Sequence, residues 1–331
     1  MNERLVVLAP NWLGDAVMAL PAIADLRRHF HSAHIGVAAR AAVAPMFSMV
    51  EGIDEVITLP DEARALSDHK FDTAILFPNS FSAARLASKA GIAERWGYAT
   101  DWRGSLLTRA IAKPAAPVHQ REYYQRLTTA LGIEAGPPYA RVRPDTGRAG
   151  ELLREIGLDL DEPFVVFAPG AAYGRAKQWL PERYAELADR IINGRGWSVL
   201  MVGSKADRSA CEDISRRMPV TGNRLNRLID FCGKSDIPAL AGILSRAAAV
   251  VSNDSGAMHL AAAVGVPVTA IFGPTDERVT SPLGNRDVLV HQVFCRPCML
   301  RDCPIDHRCM KGITVDAVFD AVSARLAADT R

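Results

Sequence analysis

Short runs of valine, isoleucine and leucine recur along the chain at 5–9, 34–38, 55–59, 73–77, 164–168, 198–202, 249–252 and 268–272, each bounded by turn residues. The runs are apolar throughout rather than alternating with polar residues, which is the pattern of strands covered on both faces. Between them, apolar residues repeat at helical spacing over 22–30, 123–131, 181–193, 237–245 and 257–264. Strand and helix alternate in both halves, so the pattern predicts an α/β chain of two doubly wound, Rossmann-like parallel sheets. From Gly136-Pro137-Pro138 through Gly150, proline, glycine and arginine replace the periodic apolar residues, and the boundary is expected there. Residues 1–148 then form one domain, 149–312 a second, and 313–331 a closing helical segment. No internal repeat or low-complexity stretch is visible.

Composition narrows this picture without changing it. The chain has 331 residues, 49% hydrophobic and 23% charged, with a net charge of +2. These values exclude fibrous, disordered and membrane-spanning classes, and the balanced charge gives no global ground for a nucleic-acid partner. The longest stretch without Lys, Arg, Asp or Glu, 255–275, contains His259, Gly265, Pro267 and Gly273 and divides into helix, turn and strand. The apolar run at 5–9 is shorter than a signal-peptide core and leads into Asn11, Gly14 and Asp15, so a cytoplasmic protein is expected.

In parallel α/β sheets, ligands bind beyond the carboxyl ends of the strands. Four loops there carry unusual chemistry. The first is Pro10-Asn11-Trp12-Leu13-Gly14-Asp15. Gly14 lets a substrate approach the backbone, while Asp15 suits a general base or, alternatively, a helix cap. The dinucleotide signature G-x-G-x-x-G is absent after this first strand, which counts against a nicotinamide dehydrogenase or a related sugar epimerase. The second loop runs from Pro169 to Trp179 and combines small residues with Arg175 and Lys177, a combination suited to a pyrophosphate or to a solvated surface. Gly174 is not followed directly by lysine, so it is not a nucleotide-triphosphate P-loop. The third offers Ser204 and Asp207, either to a ribose or as caps. The fourth is Ser252-Asn253-Asp254-Ser255-Gly256, leading to His259. Amides at a helix start attract phosphate, Asp254 suits sugar hydroxyls, and His259 either faces the ligand or packs in the core.

Taken in order, PNWLGDAVMALPAI at 10–23, PGAAYGRAKQWLPERYAELA at 169–188 and SNDSGAMHLAAAVGVPVTAIFGPT at 252–275 resemble the bacterial lipopolysaccharide heptosyltransferases, glycosyltransferase family 9. CRPCMLRDCPIDHRCM at 295–310 is most similar to the second heptosyltransferase of the inner-core pathway. The resemblance implies a GT-B fold, with two facing domains and a deep cleft between them. It further implies inverting transfer of L-glycero-D-manno-heptose from ADP-heptose to a heptose on Kdo–lipid A, at the cytoplasmic face of the inner membrane. By the same resemblance, Asp15 matches the general base and Lys177 the lysine that steadies the ADP phosphates. Gly14, Asp254, Ser255, Gly256 and His259 match donor-binding positions. Ala172 and Tyr173 stand where some relatives present hydroxyls, and Ala172 is left with its backbone N–H. Ser204, Asp207 and Lys234 fall where ribose and adenine contacts are expected. Fixed N–H groups and a lysine stabilise phosphate charge as a divalent cation does, so neither a cofactor nor an obligatory catalytic metal is expected. Heptosyltransferase I, another ADP-sugar transferase of the family and a non-catalytic nucleotide-sugar binder are the alternatives. Only the last needs no base at Asp15.

Local charge adds one expectation. Residues 85–148 carry eleven basic side chains against five acidic ones, a net +6, which leaves the remainder near −4. Such a segment suits an acceptor bearing carboxylates and phosphates and an anionic membrane surface, or is simply a solvated arginine-rich face. Trp96, Tyr98 and Trp102 lie among these charges, as a sugar platform or as core. Finally, Cys295, Cys298, Cys303 and Cys309 form a C-x2-C-x4-C-x5-C run containing His307. A structural zinc site, packed reduced thiols and disulfides are all open readings, with disulfides disfavoured in a reducing compartment.

Overall fold

The computed structural model describes residues 4–59, 64–139, 141–218 and 227–328, so Met1, Asn2 and Glu3 lie outside the described residues. The chain divides into two units, Met1–Arg143 and Pro144–Arg331. Part of the stretch expected as a linker is helical: Asp145 caps the Thr146–Glu155 helix through the N–H groups of Gly147 and Arg148 (2.9 and 3.2 Å) and so opens the second unit.

Twelve strands are present among the described residues. In the first unit they are β1 (Arg4–Leu8), β2 (His34–Arg40), β3 (Glu55–Leu59), β4 (Thr73–Leu76), β5 (Glu94–Tyr98) and β6 (Arg109–Ile111). The second unit holds β7 (Phe164–Ala168), β8 (Ser198–Met201), β9 (Leu228–Asp230), β10 (Ala249–Asn253), β11 (Val268–Phe272) and β12 (Arg286–Val290). The sheet orders are β3-β2-β1-β4-β5-β6 and β12-β11-β10-β7-β8-β9, parallel throughout. Counted within its own unit, each sheet has the same doubly wound order, which reverses between β1 and β4 and between β7 and β10. Every residue of β7, β10 and β11 is buried, as expected of parallel strands covered on both faces.

The first helix departs from the sequence pattern. It was expected from residue 22, with Pro21 just outside, yet it runs over Leu13–His29 and carries Pro21 in its interior. An interior proline costs about 3 kcal/mol. Met18, Leu20, Ile23 and Leu26 are all buried on the same helix, and each contributes roughly 1.5–3 kcal/mol on burial, so packing outweighs the proline. Asp25, wholly buried on this helix, accepts from Gln125 Nε2 (2.8 Å) and the Gly136 N–H (3.0 Å) and pairs with Arg28. It thereby fastens the helix to the Gln120–Ala130 helix.

In the second unit, Trp179, Phe167 and Tyr184 form an aromatic centre, with ring centroids 5.1 and 5.4 Å from Tyr184. The Val315–Ala328 helix buries Val315, Val318, Val322 and Leu326 in this same core. The closing segment is therefore part of the second unit's interior. Among the described residues, no helix is long and apolar enough to cross a membrane.

Candidate active site

The order reversal in each sheet opens the loops on either side of it. In the second unit these are the loops after β7 and β10, and they carry most of the residues singled out in the sequence. Lys177 lies in a short 3-10 turn, Arg175–Lys177, and its Nζ donates to Asp254 Oδ2 at 2.6 Å. The pair is well shielded, with side chains 12% and 5% exposed. Asp254 Oδ2 also accepts from Thr275 Oγ1 (2.7 Å), which brings in the loop after β11. Lys177 Nζ sits 4.8 Å from the centre of the Tyr173 ring, a cation–π contact that further fixes it. An ammonium has three donors, and Asp254 takes one of them.

The helix after β10, Gly256–Val264, starts at Ser255, whose side chain makes no capping bond to that helix; its Oγ is instead 3.1 Å from Ser252 Oγ. Gly256 is the first helical residue, so the first-turn amides closely follow Asp254 in sequence. His259 follows on the first turn and is buried. Ala172 is exposed, and the Tyr173 hydroxyl donates to the Met299 carbonyl (2.7 Å).

Ser204 and Asp207 form a reciprocal cap: the Ser204 N–H and hydroxyl both donate to Asp207 Oδ2 (2.8 and 2.7 Å). Asp207 also has a packing role. A Cβ on Gly170 would lie 2.2 Å from Asp207 Cγ, so the loops after β7 and β8 meet this closely only because residue 170 is glycine. Lys234 donates from Nζ to the Asp230 carbonyl (2.7 Å).

In the first unit, Gly14 and Asp15 belong to the first turn of the Leu13–His29 helix rather than to the preceding loop, and the residue at the cap position is Trp12. Asp15 is half-buried. It lies within electrostatic reach of Tyr124, whose phenol is pushed well above its ordinary value by burial first and by the Asp15 charge second. A carboxylate in a helix first turn is favoured by the exposed N–H groups there.

Two sequence expectations are corrected here. Trp96 and Tyr98 are core residues, and only Trp102, 97% exposed, reaches solvent, so the three form no platform. Arg103, counted with the basic face, is completely buried; it donates to the Tyr98 carbonyl (2.9 Å) and to the carbonyls of Pro78 and Ser80. Sequence reasoning also missed Asn253. Buried at the end of β10, it accepts from the Trp179 N–H (3.0 Å) and the Tyr184 hydroxyl (3.1 Å), and its amide donates to the Pro169 carbonyl (2.6 Å). It ties the β7 loop to β10. Asn253 and Thr275 lie inside stretches already singled out, where their polar character at strand ends was the available signal.

The sequence pattern of the family described as glycosyltransferase family 9 (heptosyltransferase) matches residues 62–308, about three quarters of the chain. The chain belongs to glycosyltransferase family 9. Within it, the chain is similar to lipopolysaccharide heptosyltransferase 2 of Escherichia coli K12, 29% identical over 303 residues that cover 86% of each protein. It is likewise similar to lipooligosaccharide heptosyltransferase 2 of Haemophilus ducreyi, 27% identical over 88% of this chain and 89% of the relative. The solved structure of E. coli ADP-heptose heptosyltransferase II superposes with a TM-score of 0.87 at 27% identity, over 99% of this chain and 100% of that one. An E. coli heptosyltransferase solved with ADP shares the fold at a TM-score of 0.72 and 18% identity. Two doubly wound parallel sheets in one chain are the make-up of a GT-B glycosyltransferase, and this member of family 9 has both.

Proposed function

We propose that this family 9 enzyme transfers L-glycero-D-manno-heptose from ADP-heptose to a heptose on Kdo–lipid A, with inversion, as a heptosyltransferase II. The observation that carries the reading is the Lys177–Asp254 pair, held between the loops at the second sheet's order reversal and beside the first turn of the Gly256–Val264 helix. A diphosphate leaving group needs fixed positive charge and N–H donors, and this loop set supplies both without a metal. In this reading Asp254 serves Lys177: it holds the ammonium in place while two donors remain for phosphate oxygens. Gly14, Ala172, Tyr173, Ser255, Gly256 and His259 surround the donor in this reading, with Ser204 and Asp207 shaping the ribose end.

Inversion requires one in-line displacement. The acceptor hydroxyl gives its proton to Asp15 as its oxygen attacks the anomeric carbon, and ADP departs from the opposite side with its charge met by Lys177. Asp15 lies half-buried in the first turn of the Leu13–His29 helix, and its carboxylate is a chemically suitable proton acceptor for the attacking hydroxyl. Such a displacement needs both substrates oriented and water kept from the activated sugar. The exposed basic residues Arg85, Lys89 and Lys113 suit an anionic lipid acceptor at the cytoplasmic membrane face.

The test is product formation. Wild-type enzyme with ADP-heptose and heptosyl-Kdo–lipid A gains the acceptor one heptose by mass spectrometry. Asp15→Asn abolishes that gain while ADP affinity stays within about threefold, because a base contributes to the transition state and not to nucleotide binding. Turnover preserved in Asp15→Asn removes Asp15 from the base role. No heptose gain by the wild-type enzyme removes the function.

A further inference from the structure

The segment that carries four of the six cysteines is folded against the Lys177 loop. The Arg301 carbonyl accepts from the Ala176 N–H (2.9 Å), His307 Nε2 is 2.7 Å from the Ala176 carbonyl, and the Met299 N–H donates to the Pro274 carbonyl (3.0 Å). Arg296, its side chain 3% exposed, donates to the carbonyls of Gly273 (2.5 Å) and Thr275 (2.8 Å) and pairs with Glu277. The segment therefore clamps the loops after β7 and β11, which deliver Lys177 and Thr275.

Of the segment's four cysteines, Cys309 is buried, Cys295 and Cys298 are half-buried and Cys303 is exposed. Cys295, Cys298, Cys303 and Cys309 all line one cavity of about 20 Å³, together with Arg296 and Arg308. That volume suits a single atom-sized occupant, since about 10–15 Å³ already admits a water. The backbone around it has the features of a metal knuckle. Met299, directly after the C-x2-C pair, and His307, two residues before Cys309, are both non-glycine residues in the left-handed region (φ 55° and 59°). Such residues are costly and persist where the surroundings fix them. The His307 N–H donates to Cys303 Sγ (3.3 Å), the bond by which a backbone amide supports a thiolate ligand.

We propose that Cys295, Cys298, Cys303 and Cys309 are the four ligands of one structural thiophilic metal ion, zinc or iron, which locks the 295–309 segment onto the Lys177 loop. The first C-x2-C spacing is that of structural tetrathiolate sites. A tetrathiolate around a divalent ion carries a net charge of −2; Arg296 and Arg308 lie on the cavity wall, each also paired with a carboxylate, Glu277 and Asp306. Among the described residues, the only group of three or more candidate ligand atoms all within 4.8 Å of one another is Cys211, Asp230 and Cys232. The four thiols must therefore draw in by side-chain rotation as the metal binds. The site abuts the Lys177 loop through Ala176, and its existence does not depend on which sugar the enzyme transfers.

The experiment is elemental analysis of the full-length protein, purified under reducing conditions without added metal or a histidine tag. About one zinc or iron per chain is expected, falling at least tenfold in Cys298→Ser. Independently of any variant, wild-type protein stripped by chelator and titrated with cobalt should develop the intense thiolate-to-cobalt charge-transfer absorption of a tetrathiolate at one equivalent. Chelation should lower the melting temperature of the wild type by several degrees and leave Cys298→Ser unmoved. Less than about a tenth of an equivalent of any transition metal, together with a cobalt titration lacking charge-transfer bands, overturns the proposal. A disulfide among Cys295, Cys298, Cys303 and Cys309, found by peptide mapping of unreduced, denatured, chelated protein, overturns it in favour of disulfides.

Discussion

If Asp254 serves Lys177 rather than the sugar, the two residues act as one unit, and a double-mutant cycle measures this directly. The perturbation is Asp254→Asn, which keeps the side chain's shape and its acceptance from Thr275 Oγ1 while removing the charge 2.6 Å from Lys177 Nζ. Opposite charges about 4 Å apart at an effective dielectric near 20 attract by about 4 kcal/mol, part of which repays the desolvation of two shielded ions. Loss of the charge then costs the second unit about 2–3 kcal/mol in stability. For a unit of this size, that lowers the melting temperature by roughly 5–10 °C. In turnover, Lys177→Ala should lose about 10²–10³-fold, as other positioned charge stabilisers do. Asp254→Asn should lose about 10–10²-fold, because an ammonium displaced by about 1 Å meets the leaving group poorly. The double variant should be no worse than Lys177→Ala alone within about threefold, since Asp254 has nothing left to position. The assay is ADP release at saturating donor, at a temperature well below every variant's melting transition. Losses that multiply, giving a double variant down about 10³–10⁵-fold, would show that Asp254 contacts substrate independently and would refute the assignment.

Two further outcomes follow from the same geometry. Asn253→Ala strands the buried Trp179 N–H and Tyr184 hydroxyl, each costing about 1–3 kcal/mol; thermal unfolding should fall by roughly 6–12 °C, and a change below about 2 °C would show that Asn253 is not the tie between the β7 loop and β10. Raising salt from about 50 to 500 mM should weaken binding to anionic vesicles carrying the acceptor at least tenfold while leaving ADP affinity nearly unchanged, and salt-independent vesicle binding would make the basic residues of the first unit an ordinary solvated face.

The central strands were legible because a strand buried on both faces must be apolar throughout, and β7 and β11 occupy the very residues the pattern predicts. β5, β6, β9 and β12 were not, since strands at or next to a sheet edge tolerate charge, here Glu94 and Arg95, Arg109, Asp230, and Arg286 with Asp287. Pro21 concealed the first turns of the first helix, because a breaker signal is local and the packing that overrides it is not. The same limit governs the site. Asp15, Lys177 and Asp254 stood out as chemically expensive residues at strand ends, but nothing local joins Lys177 to a carboxylate 77 residues away. Nor does a count of arginines reveal that Arg103 points inward, or a run of cysteines that its carbonyls grip the Lys177 loop.

The proposed reaction of this family 9 enzyme transfers heptose from an ADP-activated donor to a lipid-linked heptose. The most direct measurement is acceptor-dependent nucleotide release across a donor panel of ADP-heptose, UDP-sugars and GDP-sugars, with heptosyl-Kdo–lipid A as acceptor. Rapid ADP release is expected from ADP-heptose only, dependent on the acceptor, with product anomeric configuration opposite to that of the donor. Turnover of a UDP- or GDP-sugar in preference to ADP-heptose, or ADP release indifferent to the acceptor, contradicts it.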